Sequence, residues 1–203
     1  MSRSNFFDAI RILFIFCAGG TPLKNDKLFY SEFKGETKLM AYDFWVRYPD
    51  YFAHELHEKY EETGEFFYKE KAESIIADAE PNERQIPMIR YLFGAYEKPD
   101  NALAILKSRN LIQIKKHKLP NGHSETDFFI THRGYALYQK AVADWPVLRW
   151  YEERAKLVAQ VAGDRGGDAL KKRQYEQRVY AETKRGEFIP PLQIESGLHE
   201  FKS

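Results

Sequence analysis

The chain has 203 residues, enough for one well-filled hydrophobic core or for one core with a helical appendage. Hydrophobic residues make up 43% of it and aromatic residues 15%, which excludes a disordered protein. The 31 Lys and Arg residues nearly balance 30 Asp and Glu residues, giving a net charge of +1. Because proteins that bind DNA through many phosphates carry a clear basic excess, any nucleic-acid contact must use a local patch.

The N-terminal segment predicts a helix inside a core. Residues 5–18 are apolar nearly all round, which is typical of a central helix. The single cysteine, Cys17, is expected to be a small buried side chain in this helix. Arg11 interrupts the apolar run, which is also too short to span a bilayer. We therefore expect a soluble, cytoplasmic protein that does not associate with membranes.

Helical patterns continue through the first half of the chain. Thr21 and Pro22, which follow two glycines, predict the start of a short helical stretch. Pro49 separates two longer helices. The amphipathic segments that predict helices are 36–48, 50–62 and 66–79. The dense apolar stretch 86–94 fits either a short helix or an extended segment.

The clearest local signal is a hairpin between two helices. A helix is predicted over residues 99–110, and strands are predicted over 111–118 and 125–130. The turn between the strands is Pro120-Asn121-Gly122, in which Asn and Gly tolerate positive φ. Thr131 then caps a helix that runs to about residue 143. Helix, hairpin and capped helix follow one another in the order of a winged-helix domain.

The remaining residues predict a C-terminal extension. A helix over 146–162 is followed by the glycine-rich break 163–167 and by a weakly amphipathic helix over 168–185. The predicted fold class is therefore mostly α with a small β hairpin: a winged-helix core plus a C-terminal helical extension. Residues 1–143 would form a winged-helix-like domain with a helical insertion, and 144–203 would form C-terminal helices and a partner-binding tail.

Basic side chains on the predicted recognition helix and wing are the candidate nucleic-acid contacts, because a cationic helix beside a cationic wing suits the duplex backbone. They are Lys107, Arg109, Lys115, Lys116 and Lys118. The alternative is that the wing lysines only discourage pairing of an exposed strand edge.

Aromatic and apolar residues beyond the capped helix are the candidate partner interface, since one small core is not expected to cover all of them. They are Trp145, Leu148, Trp150, Tyr151, Tyr175, Val179, Tyr180, Phe188, Ile189 and Leu192. The alternative is that this segment folds back over the chain's own core.

Catalytic and metal-binding patterns are not found. His54 and His57 flank a glutamate, but a zinc-protease helix needs its second histidine one position later, where Glu58 stands. The Glu-x-Lys triplets lie on helical or loop segments instead of the adjacent strands that a metal-dependent nuclease site uses. We expect no enzyme activity, no cofactor, no metal and no small-molecule substrate.

Residues 44–53, 87–96 and 105–112 contain three short motifs that are mostly hydrophobic. In this order they resemble the small middle components of ABC-ATPase three-component systems, which include the Lamassu-type antiphage operons. The resemblance implies a small winged-helix-like subunit that accompanies an SMC-like ATPase and an effector, often a nuclease. It carries over Arg47, Tyr91 and Gly94 as structural signatures, and no catalytic residue.

The resemblance thus implies a non-catalytic adaptor that bridges the ATPase and a nuclease effector in antiphage or plasmid defence and contacts double-stranded DNA. The alternative is a free-standing winged-helix transcription regulator in which residues 146–162 form a dimerisation helix. A third alternative is an enzyme whose site the sequence does not reveal.

Overall fold

A computed structural model describes residues 3–77, 87–91, 94–119 and 122–192. In this part of the chain the fold is mostly helical with a small antiparallel sheet, which confirms that part of the predicted fold class. The helices are α1 (Arg3–Gly19), α2 (Glu36–Arg47), α3 (Pro49–Thr63), α4 (Phe66–Ala77), α5 (Asp100–Ser108), α6 (His132–Asp144), α7 (Arg149–Ala162), α8 (Gly167–Glu176) and α9 (Arg178–Glu182).

The strands form two antiparallel sheets. They are β1 (Thr21–Pro22), β2 (Phe29–Lys34), β3 (Ile89–Tyr91), β4 (Gly94–Tyr96), β5 (Ile112–Lys118) and β6 (Ser124–Thr131). The larger sheet has the order β1-β2-β6-β5, and β3 pairs with β4. The stretch around residues 86–94, which fitted a helix or a strand, is extended wherever it is described.

β1 and β2 differ from the prediction. Thr21 and Pro22 were expected to begin a helical stretch, but they pair with Ser31 and Glu32 of β2. The alternating burial along β2 is that of a strand with one face in the core, and the strand was not predicted. Its six residues give only a short sequence pattern. Its pairing partner, β6, lies about a hundred residues later in the chain.

The predicted hairpin and its capped helix are confirmed. β5 pairs antiparallel with β6, and the Thr131 hydroxyl accepts a 3.0 Å hydrogen bond from the Gly134 backbone N–H at the start of α6. A Cβ at Gly134 would lie 2.2 Å from the carbonyl oxygen of Leu111, so this junction requires glycine. Two residues of the predicted turn, Pro120 and Asn121, lie outside the described part.

α1 is the central helix because it is apolar on several faces. Phe16 stacks on Phe128 of β6 with ring centres 4.7 Å apart, and Phe14 meets Tyr138 of α6 edge-on at 4.8 Å. The same helix packs against α2, α5 and α7. Arg11 of α1 is buried, and its Nε donates to Oδ1 of Asp43 in α2 at 2.6 Å.

The C-terminal helices fold back over the core, which was the alternative to a partner-binding arm. Val158, Leu170 and Tyr180 have no exposed surface and belong to one hydrophobic core with residues of α1, α2 and α3. The described part beyond residue 143 is therefore built into the fold. The predicted helix over 168–185 is two helices, α8 and α9, because the backbone is extended at Gln177.

Polar contacts also fasten the C-terminal residues to α3. The buried Glu55 carboxylate accepts from Arg165 at 3.3 Å and from Arg173 at 3.1 Å. Burial raises the pKa of Glu55, and the two arginines oppose that rise. The Tyr51 hydroxyl donates to the carbonyl of Pro190 at 2.9 Å, which holds the segment after α9 against the N-terminal end of α3.

Candidate interaction surfaces

An open groove of about 560 Å³ lies between α1, α5 and α6, and is called the α1–α5–α6 groove below. Nine of its twelve lining residues are apolar: Phe6, Ala9, Ile10, Leu13, Ile105, Leu106, Leu111, Ala136 and Leu137. The other three are basic: Arg109, Arg133 and Lys140.

Helical spacing places three of the lining residues on one face of α1. Phe6, Ile10 and Leu13 follow one another at i, i+4 and i+7 and form a stripe along α1. Phe6 is 44% exposed and Leu137 of α6 is 41% exposed, so large apolar side chains of this groove face water. Contiguous exposed apolar surface of this kind is a common feature of binding sites.

The charged residues that line the groove in the described part of the chain are all basic. Arg133 and Lys140 lie on α6, and Arg109 directly follows α5. Lys140 pairs with Asp144 at 2.6 Å, while Arg109 and Arg133 form no ion pair with a residue of the described part. A ligand that brings negative charge beside an apolar face would therefore find two guanidinium groups available.

The predicted wing lysines divide between the two faces of the hairpin. Lys115 faces Asp127 across the β5–β6 ladder, and its Nζ lies 4.2 Å from the ring centre of Phe129. Lys116 and Lys118 lie on the opposite face, because successive residues of a strand alternate. All three are exposed, but they do not form one cationic surface.

The two predicted contacts on the helix are exposed as expected. Lys107 lies in the last turn of α5, and Arg109 caps its C-terminal end. Arg109 also lines the α1–α5–α6 groove. The basic end of α5 therefore borders the apolar groove, a relationship that the sequence pattern did not reveal.

The predicted partner interface is only partly exposed. Tyr180 and Ile189, at 0% and 2% exposed, are corrections, since their side chains fill the chain's own core. Five members are half-buried against the protein: Leu148, Trp150, Tyr151, Tyr175 and Leu192. Three remain exposed: Trp145, Val179 and Phe188. Trp145, the C-terminal cap of α6, lies on the same element as the groove residues Leu137 and Lys140.

One cluster of potential metal ligands is present in the described residues. His117 of β5 lies 3.5 Å from Glu125 and 3.3 Å from Asp127 of β6. Its two ring nitrogens face different carboxylates, and Asp127 also accepts from the Gly35 N–H before α2. These contacts make the cluster a polar link across the hairpin. In the observed register His117 lies directly opposite Glu125.

The positions of the family resemblance have structural roles. Arg47 is buried and its guanidinium pairs with Asp43 and with Glu97. Gly94 has a φ of +106°, which side-chain-bearing residues rarely adopt. Tyr91 is partly exposed, with the Arg185 guanidinium 5.3 Å from its ring centre.

No family model, curated protein or solved structure matches this chain. None of the helices within the described residues combines the length and apolar character that a membrane span needs.

Proposed function

We propose that this chain is a non-catalytic adaptor subunit that joins an SMC-like ATPase to an effector, with antiphage or plasmid defence as its setting. The observation that carries the binding role is the α1–α5–α6 groove. A small protein that leaves Phe6 and Leu137 in water beside available cations has a surface suited to a protein partner. The choice of an SMC-like ATPase and a nuclease as partners rests on the sequence resemblance.

Contact with double-stranded DNA is a second part of the proposal. The order of α5, β5, β6 and α6, with β2 on the other side of β6, supports a winged-helix arrangement. Lys107 would then lie on the recognition helix, with Lys116 and Lys118 on the wing. The same observation supports the alternative function, a free-standing transcription regulator.

Co-purification with the proteins of neighbouring genes tests the adaptor function. We expect the tagged chain to retain an SMC-like ATPase, and Leu137→Glu to abolish the association. Leu28→Glu is the matched control, because Leu28 is 67% exposed and does not line the groove. Equal retention by both variants, or no such ATPase among the neighbouring genes, would count against the adaptor.

DNA binding separates the adaptor from the regulator. A regulator would bind one palindromic operator as a symmetric dimer, whereas the adaptor would bind all duplexes alike with an affinity that falls as salt rises. Lys116→Glu with Lys118→Glu is expected to weaken binding and to reduce the salt slope by about two phosphate contacts. Lys115→Glu is the control from the opposite face of the hairpin, and an equal effect of Lys115→Glu would contradict a wing contact through Lys116 and Lys118.

A further inference from the structure

We infer that the α1–α5–α6 groove binds an amphipathic helix of a partner protein, with an apolar stripe that enters the groove and acidic residues along its edge. This inference rests on the proposed adaptor function, and it adds the chemical character of the partner segment. It follows from three properties of the groove: its apolar lining, the distribution of its charges and its helical walls.

The apolar lining selects a ligand with a substantial apolar face. Nine of the twelve lining residues are apolar, and they come from α1, α5, α6 and Leu111. Duplex DNA presents phosphates to a protein surface and would leave this lining without a counterpart. An amphipathic helix presents side chains at i, i+3 or i+4 and i+7, which is the usual mode of binding to a hydrophobic groove between helices.

The charges select an acidic partner with charge distributed along its length. Arg133 and Lys140 are seven residues apart on α6, which separates them by about 10 Å along the helix axis. A ligand with a single anionic group would satisfy one of them. Carboxylates two turns apart on a bound helix match both, and Arg109 at the end of α5 adds a third cation.

Among the described residues, none that lines the groove is acidic and would repel such a partner. In the described part of the chain Asp144 pairs with Lys140, and both side chains are exposed enough for a ligand carboxylate to replace Asp144. The acidic helix would therefore replace one exposed ion pair and gain contacts with two guanidinium groups.

Three synthetic peptides test the inference with the full chain. Each is about 18 residues long, with leucines at i, i+4, i+7 and i+11 and helix-forming residues elsewhere. They differ only in the residues that flank the leucine stripe, which are Glu, Gln or Lys. In fluorescence anisotropy we expect the Glu peptide to bind about tenfold more tightly than the Gln peptide, and the Lys peptide to bind least.

Two variants locate the binding. Leu137→Glu is expected to abolish binding of the Glu peptide, while Leu28→Glu retains it. Arg133→Glu with Lys140→Glu is expected to reverse the preference, so that the Lys peptide binds better than the Glu peptide. Lys172→Glu with Lys184→Glu is the matched charge control on exposed residues that do not line the groove. Circular dichroism confirms that each variant is folded.

Four results would overturn the inference. The first is equal affinity for all three peptides, and the second is binding that survives Leu137→Glu. The third is much tighter peptide binding by the full chain carrying Leu198→Asp and Phe201→Asp than by the wild type. That result would mean that the wild-type tail itself occupies the groove and competes with the peptide. The fourth is a dimer that Leu137→Glu converts to a monomer, which would make a second copy the occupant.

The peptide assay needs no ATPase, so its outcome is independent of the proposed assembly. Selective binding of the Glu peptide without retention of an SMC-like ATPase would support the acidic partner and contradict the proposed complex. Retention of the ATPase without peptide selectivity would leave the adaptor function in place and reject the acidic helix.

Discussion

Arg11 and Asp43 are joined by a 2.6 Å hydrogen bond between Nε and Oδ1, although Arg11 is only 5% and Asp43 only 3% exposed. Arg47 approaches the other carboxylate oxygen at 3.4 Å and continues to Glu97. Burial by itself would raise the pKa of Asp43, but Arg11 and Arg47 outweigh burial and hold that pKa below its usual value. The central charge of the core is therefore an ionised carboxylate between two arginines.

Replacing Asp43 with asparagine is expected to destabilise the protein by about 3–5 kcal/mol, because two buried guanidinium groups lose the buried carboxylate that they share. Asp8→Asn is the control. Asp8 pairs with the same Arg11 at 2.7 Å, but its side chain is 23% exposed, so we expect a loss of about 1 kcal/mol or less. Urea unfolding at pH 7 measures both, and equal losses would contradict the importance of burial.

The cost of Asp43→Asn is also expected to depend on pH. Because the folded-state pKa of Asp43 is lowered, the ionised carboxylate stabilises the fold above its unfolded pKa of about 4. This contribution disappears as the pH falls through the lowered folded value. The difference in Tm between the wild type and the variant should thus be constant above about pH 5 and shrink in more acidic solution. A Tm difference that grows as the pH falls would contradict this prediction.

Tyr180→Ala is expected to lower the free energy of unfolding by about 3 kcal/mol or more, as truncation of a buried aromatic residue does. Tyr180 meets Phe44 and Tyr51 edge-on, with ring centres 5.6 Å and 6.5 Å away. The neighbouring Val179 is 37% exposed, so Val179→Ala should cost much less. Similar Tm values for Tyr180→Ala and the wild type would indicate that the C-terminal segment is a separate arm and not part of the core.

The thiol of Cys17 is expected to react slowly with a disulfide reagent at pH 8. Burial raises the pKa of Cys17 to about 12, so little thiolate is present in the folded protein. Unfolding in urea returns the pKa to about 8.5 and should accelerate the reaction by orders of magnitude. Equal rates in the folded and unfolded protein would show that Cys17 is accessible.

Gly134→Ala is expected to destabilise the junction between the hairpin and α6, because the added methyl group would lie 2.2 Å from the Leu111 carbonyl oxygen. A loss of about 2 kcal/mol or more follows from the required backbone shift. Gly166→Ala is the control, since nothing lies within 4 Å of its added Cβ and its φ is −77°. Thermal unfolding should therefore separate the two variants by several degrees.

The parts of the fold that the sequence predicts are those determined by local contacts. The Thr131 cap and the strands β5 and β6 depend on residues close to each other in the chain, and all were predicted. The short strand β2 escaped prediction because its partner β6 is distant in sequence. The sequence does not predict the burial of Tyr180 either, because the apolar stripe of α9 is too narrow to show which part of the protein this helix packs against.

The candidate site was predictable only in pieces. Lys107 and Arg109 were correctly placed on an exposed helix, and α1 was seen to be apolar on nearly every face. That breadth predicts a helix central to the core, and the structure adds that Phe6 and Ile10 line an open groove. Leu137 of α6 and these residues of α1 come together only in the tertiary structure. No residue spacing in the sequence therefore predicts that they line one groove.

The contacts that fasten the end of the described chain to α3 also govern how this protein can fold. Tyr51 and Pro190 are 139 positions apart, and Asp50 and the Leu192 N–H to which it is bonded are 142 apart. Loops of this length close slowly and late. The aromatic cluster around Phe44 is therefore complete only after Tyr180 of α9 has been synthesised and has packed against it. An incomplete chain that lacks α9 leaves this aromatic cluster exposed, which favours aggregation.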